Sequence, residues 1–257
     1  MTRLRVALVL AAVIAGVIAA GSLRGADAPA RRGAPAPRLP GTPAPAFEVG
    51  PPVALERHRH ATTWAAVRRD AVARARPAAA ARAVGTLAAR TPEATTNIVL
   101  PLARRRDRRG GLWVRVRLDR TTGWVPRAAL GAYGTVRTRL VVDLARRTAT
   151  LLRDGRRVLR VPVGVGTPAA PTPTGEFVIR NRLARYRSAF YGPVALGTSA
   201  RSATLTDWPG GGFVGIHGTD RPDLIPGRVS HGCIRMRNAD ILRLARLAPI
   251  GTPLSIH

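Results

Sequence analysis

Apolar and charged positions alternate along several stretches of this chain. In Leu112-Trp113-Val114-Arg115-Val116-Arg117-Leu118 the apolar residues recur every second position around two arginines, the period of a half-buried strand. Thr121-Thr122-Gly123 reads as a turn, and Gly123-Trp124-Val125-Pro126 as the returning strand. Leu140–Leu144 reads as another strand. Thr148–Arg153 and Val158–Val163 flank Asp154-Gly155, a hairpin signal because a type I′ turn needs positive φ at both central residues. Gly175–Arg180, Phe213–Ile216 and Leu254–Ile256 complete the strands. One helix is expected, with Asn238 as N-cap, Ala239–Ala248 as its body, and Ile241, Leu244, Ala245 and Ala248 on one face. Pro249 and Gly251 close it. Residues 61–90, rich in Ala and Arg, show no such alternation and read as a short helix or loose chain. The fold class is therefore mainly β, with one late helix, and no internal repeat is visible.

The N-terminus reads differently. Arg3 and Arg5 precede Val6–Leu23, a run without a charged residue, and Arg24 follows. A positive start before an apolar run is the pattern of a signal peptide or an uncleaved membrane anchor, here residues 1–25. The rest of the chain is then exported. Residues 26–60 form a Pro/Ala-rich linker, semi-rigid and extended. His58 and His60, among arginines and without a third ligand, read as solvated surface. The remaining chain divides into a small β-rich module at 61–135 and a larger β domain at 137–257.

Composition changes the picture only in part. The chain has 257 residues, 46% of them hydrophobic, enough for a sizeable core. Its formal charge is +28, from 42 basic residues, all of them arginine, against 14 acidic ones. The absence of lysine points to coding bias as much as to selection for a basic surface. The field still attracts anionic polymers. Nucleic acid is set aside, because aromatics are only 4% and no motif of a nucleic-acid-binding fold occurs.

A single cysteine excludes an intramolecular disulfide framework and a multi-cysteine zinc site. Exported proteins usually keep their cysteines in pairs, so a solitary one asks for a reason. Cys233 stands in Ser230-His231-Gly232-Cys233-Ile234-Arg235-Met236, and His217-Gly218-Thr219 lies upstream. A lone cysteine is often a small buried hydrophobe, and a lone histidine is often structural. The Ser-His-Gly run before Cys233 is instead a loop-like setting with few apolar neighbours. A thiol nucleophile needs a histidine to take its proton and return it to a leaving amine. Backbone N–H groups around Gly232 and Cys233 suit an oxyanion. Arg235 suits a substrate carboxylate.

These motifs, with Asn238, Pro173-Thr174-Gly175-Glu176-Phe177, Tyr191-Gly192-Pro193 and Gly251-Thr252-Pro253, resemble the signature of the L,D-transpeptidase catalytic domain, the YkuD type, over about residues 137–257. Separately, the paired strands around Trp113 and Trp124 resemble the small bacterial Src-homology-3-like barrels. The first resemblance implies a β-rich fold acting on peptidoglycan stem peptides, with no metal or organic cofactor. Carried onto this sequence, Cys233 is the nucleophile and His217 the proton donor and acceptor, one ring nitrogen held by a carbonyl near Gly218. His231, Gly232 and Cys233 supply backbone donors, Ser230 supports the loop, and His231's side chain orients it. Arg235 contacts a stem-peptide carboxylate, and Tyr191 walls the pocket. The implied reaction cleaves after the third stem residue and joins two third residues. Water as acceptor would make it an L,D-carboxypeptidase, and a protein acceptor would attach that protein to the wall. A sortase-type enzyme shares the order His, Cys, Arg, but carries a Thr-Leu-x-Thr-Cys run where Val229-Ser230-His231-Gly232-Cys233 stands here. A zinc peptidase using His217, His231 and Cys233 lacks helix or knuckle spacing. A wall-binding protein with an inactive domain is the non-enzyme reading, and the intact Cys233, His217 and Arg235 weigh against it.

Overall fold

The computed structural model describes residues 50–55, 60–118, 121–184, 188–204 and 212–257. The apolar N-terminal run, most of the linker and His58 lie outside the described residues. Among those described, no helix is long and apolar enough to cross a membrane.

Before residue 137 the strands are β1 (Val53–Ala54), β2 (Thr62–Val67), β3 (Ala71–Arg74), β4 (Ala83–Leu87), β5 (Ile98–Val99), β6 (Pro101–Arg106), β7 (Leu112–Arg117), β8 (Thr122–Pro126) and β9 (Leu130–Val136). They form one sheet ordered β1-β6-β7-β8-β3-β4 and another ordered β5-β2-β9. Their shared core holds Ala65, Val67, Ala73, Leu87, Val99, Val114, Val116, Val125 and Leu130. The alternating run behaves as its pattern demands: Val114 and Val116 are buried, Arg115 and Arg117 exposed. The expectation of a helix or loose chain over residues 61–90 is wrong, since β2, β3 and β4 occupy it. Alanine favours helix in isolation, but Ala65 and Ala73 are fully buried where strands pack closely, and sheet pairing overrides propensity.

After residue 137 come β10 (Thr138–Asp143), β11 (Thr148–Arg153), β12 (Arg156–Pro162), β13 (Gly164–Gly166), β14 (Gly175–Leu183), β15 (Ala195–Arg201), β16 (Phe213–His217), β17 (Gly227–Ser230), β18 (Ile234–Arg235) and β19 (Pro253–Ile256), with α1 (Asn238–Leu247) between the last two strands. They build a ten-stranded sheet ordered β12-β11-β10-β19-β14-β15-β16-β18-β13-β17. The β11–β12 turn has φ of 52° at Asp154 and 79° at Gly155, as the Asp-Gly signal requires. Every residue of β16 is buried, so it reads as a continuous apolar run instead of an alternating one. Ile241, Leu244 and Ala245 of α1 face the same core as Leu140, Leu151, Ile179, Leu196 and Ile216.

Asn238 is not the helix N-cap. Arg237 holds that position, without a side-chain cap, and Asn238 is the first helical residue. Its Oδ1 instead accepts the N–H of Thr219 at 3.0 Å, tying the helix start to the loop after His217.

Candidate active site

Strands β16 and β18 run parallel, with Ile216 opposite Ile234 and His217 opposite Arg235. This register sets Cys233, one residue before β18, level with Gly215, whose N–H donates to the Cys233 Sγ at 3.4 Å. His217 lies two residues further along β16, on the same face as Gly215. Tyr191 joins the two: its ring meets that of His217 edge-on at 4.9 Å and also packs against Cys233 and Ala195. Cys233, His217, Arg235 and Tyr191 therefore converge at one end of the β16–β18 pair.

Cys233 does not occupy an open loop. It is 5% exposed and packs with Ala195, Leu183 and Tyr191. The reason is local. Gly232 has φ of 120°, a backbone state closed to ordinary L side chains, and turns the chain straight back into the sheet. Ser230 locks that turn, its Oγ donating to the carbonyl of Cys233 at 2.5 Å and accepting the Gly232 N–H at 3.1 Å. Gly232 N–H is thus engaged by Ser230, which corrects its assignment as an oxyanion donor. His231, expected to orient the loop, is exposed. Thr172 does part of that work unforeseen. Its Oγ1 donates to the Gly232 carbonyl at 2.9 Å and accepts the Gly166 N–H at 2.8 Å. The Pro-Thr-Pro-Thr run was visible, but nothing in it distinguished Thr172 from Thr174.

His217 is 1% exposed. Its Nδ1 lies 2.6 Å from the Gly218 carbonyl, which can only accept, so Nδ1 carries the proton and Nε2 the lone pair. Burial pushes the imidazole's pKa down to about 4; the Gly218 carbonyl opposes this, and the Arg235 charge adds to it. The ring is neutral at neutral pH, as a general base must be. Activity is therefore expected to hold on acidification to a limb near pH 4, where an unperturbed histidine would lose it near 6.5; a kcat/KM–pH profile with its acid limb above 6 overturns this. Stability follows with a definite sign. Between about 4 and 6.5 the unfolded chain binds the additional proton, so stability is lost as pH falls through that window, by about 3 kcal/mol.

Arg235 is 9% exposed, and its Nε has no hydrogen-bond partner among the described residues. The guanidinium lies over the Phe190 ring at 4.6 Å. Phe190 also stacks on His217 at 6.3 Å and meets Tyr191 edge-on at 4.9 Å, although it is 42% exposed. Sequence reasoning missed Phe190; its place beside Tyr191 was the available signal. A buried cation at the mouth of a cysteine–histidine pair, roofed by an exposed aromatic, is equipped to receive a carboxylate.

Behind the histidine, Gly218 and Gly192 touch. A Cβ on Gly218 would lie 2.2 Å from Asn238 Oδ1 and 3.0 Å from Gly192 Cα; one on Gly192 would lie 2.4 Å from the same oxygen. Gly192 follows Tyr191 in the chain, so this contact lies directly beside the ring that packs on His217. A cavity of about 690 Å³ opens elsewhere, between Leu87, Arg90 and Ile98 on one side and Phe177 and Arg201 on the other; neither Cys233 nor His217 lines it. Among the described residues, no three His, Cys, Asp or Glu side chains are grouped to hold a metal ion.

The stretch that carries this geometry matches the model of the L,D-transpeptidase catalytic domain, YkuD, over residues 137–256. Those residues are similar to an L,D-transpeptidase catalytic domain. The YkuD protein of Bacillus licheniformis is 41% identical to this chain over 118 residues, which are 46% of this chain and 64% of that protein. The YkuD protein of Bacillus subtilis is 36% identical over 118 residues, 46% of this chain and 65% of its own. The chain thus spans a little under two thirds of these relatives. The catalytic domain of the Enterococcus faecium L,D-transpeptidase, solved by NMR, is 28% identical over 47% of this chain and 96% of that one, with a TM-score of 0.35. The residues before 137 lie outside the family match.

Proposed function

We propose that the protein is a peptidoglycan L,D-transpeptidase working through a Cys233 thioester, on the outer side of a bacterial plasma membrane. The observation that carries this reading is the neutral, buried His217, with its Nε2 unprotonated, in the same cluster as the Cys233 sulfur and the Arg235 guanidinium. Arg235 takes a carboxylate of the donor stem. The Cys233 thiol gives its proton to His217 Nε2 as the sulfur adds to the carbonyl carbon of the third stem residue. The adduct collapses, the bond to the terminal D-alanine nitrogen breaks, and the imidazolium returns the proton to that amine. The side-chain amine of a second stem then adds to the thioester and passes a proton to His217, which hands it to the Cys233 sulfur as the carbon–sulfur bond breaks and the thiol is restored. The product is an amide between two third residues.

The basic surface holds the enzyme near anionic wall polymers. Incubation with purified disaccharide-tetrapeptide and mass analysis of the products tests the proposal. A dimer lacking one D-alanine is expected; free D-alanine with only monomeric tripeptide would replace cross-linking by trimming, and unchanged substrate would sink both. Carbapenem-type β-lactams are expected to leave an adduct on Cys233. Arg235→Met is expected to raise KM about tenfold or more while kcat changes less, because the cation binds the donor before and during reaction alike; an unchanged KM for the carboxylate-bearing donor removes Arg235 from that role.

A further inference from the structure

The strands of the active site are gripped from outside the matched domain. The turn between β4 and β5 sends Glu93 against β14. Its carboxylate accepts the Arg180 Nη2 at 3.0 and 3.3 Å and the Asn181 Nδ2 at 3.1 Å. The Arg180 and Glu93 side chains are 6% and 4% exposed. Asn181 Nδ2 also reaches Thr95 Oγ1 at 2.9 Å. The register of β14 against β15 shifts between Ile179 and Asn181, so the strand bulges where Glu93 docks. Bulges re-aim side chains, and this one delivers both Arg180 and Asn181 to the carboxylate.

Two lines lead from that bulge to the chemistry. Asn181 Oδ1 accepts the Gly197 N–H at 3.0 Å, and a Cβ at 197 would stand 2.1 Å from that oxygen, so only glycine fits. Gly197 is paired with Gly215, and Gly215 N–H is the donor to the Cys233 sulfur. Arg180 meanwhile lies 3.7 Å from the ring centre of Phe213, the first residue of the strand whose last residue is His217.

We infer that Glu93 is a positioning residue for the cysteine–histidine pair, acting through Arg180 and Asn181, and that the stretch before residue 137 is part of the active-site scaffold. A buried carboxylate is costly unless fully partnered; here its partners are the residues that set the spacing of β14, β15 and β16. A passive spacer needs no such group. The inference concerns the geometry around the sulfur, and rests on the proposed reaction only where turnover is read.

The test uses the full chain. Glu93→Gln keeps the shape and one acceptor but removes the charge. Alkylation of Cys233 by iodoacetamide at neutral pH is expected to slow severalfold, with its pH–rate profile displaced to higher pH, because a displaced Gly215 N–H no longer steadies the sulfur anion. Turnover of the tetrapeptide is expected to lose about tenfold in kcat at unchanged KM, since Glu93 touches no substrate. A folded variant with the native alkylation profile and native kcat overturns the inference. Should the single variant fail to fold, the pair Glu93→Leu with Arg180→Met removes both buried charges together, a change that proteins tolerate better than loss of one. The paired variant is expected to show the same displaced alkylation profile, and a native profile in it overturns the inference as well. Alkylation needs no wall substrate, so a native chain without turnover would defeat the proposed reaction and leave the positioning measurement standing.

Discussion

Replacing Cys233 by alanine is expected to bring cross-link formation down to background, a loss of at least about 10⁴-fold, with little change in stability. The chain has one cysteine, so no other thiol can form the acyl intermediate. The truncation removes one sulfur atom from a pocket shared with Ala195, Leu183 and Tyr191, and a cavity that small costs about 1 kcal/mol. The Gly215 N–H loses a weak acceptor, and the Ser230 bonds to the backbone of residues 232 and 233 remain. Product analysis beside a melting curve checks both halves. A well-folded alanine variant retaining more than about a hundredth of native turnover would remove the nucleophile assignment.

The second large effect is expected at Gly218. Alanine there would drive its Cβ to 2.2 Å from Asn238 Oδ1, 3.0 Å from Gly192 Cα and 3.1 Å from Pro193 Cδ. The first of these is a side-chain atom, but Asn238 is held by its bond to Thr219 N–H and by the start of α1. The others belong to the segment that presents Tyr191. Something must move, and each available movement disturbs the histidine: its Nδ1 bond is to the carbonyl of residue 218, and Tyr191 packs on its ring. A loss of about 3 kcal/mol in stability and of at least about 100-fold in kcat is expected. Adding Asn238→Ala is expected to recover only part of it, because the Gly192 contact persists. A Gly218→Ala protein with native melting temperature and turnover would show that this contact is not what holds the histidine.

The sequence made some of this legible and hid the rest for physical reasons. Strands with one wet face declared themselves by alternation, as β7 did, and the β11–β12 turn declared itself through Asp154-Gly155. The Cys233 and His217 motifs were legible because a thiol, an imidazole and flanking glycines in that order have few other uses. The strands over residues 61–90 were not, because alanine's local preference conflicts with the close packing that decides its fate there. The burial of Cys233 was not legible either: a Ser-His-Gly run looks like a loop until Gly232 turns it inward. Gly232 was a poor oxyanion donor for the same reason, since Ser230 reached its N–H first. The ties from Thr172 to Gly232 and from Asn238 to Thr219 join residues 60 and 19 positions apart, and short-range patterns carry no trace of such pairs.

The cover over the sulfur has a consequence for inhibitor chemistry. An electrophile must reach the sulfur of a residue that is 5% exposed and packs against Tyr191 and Leu183. Slim reagents and those drawn in by an anionic tail beside Arg235 meet little resistance. Bulky aromatic disulfides must first part the packed side chains. The domain is therefore expected to sort warheads by girth before it sorts them by reactivity.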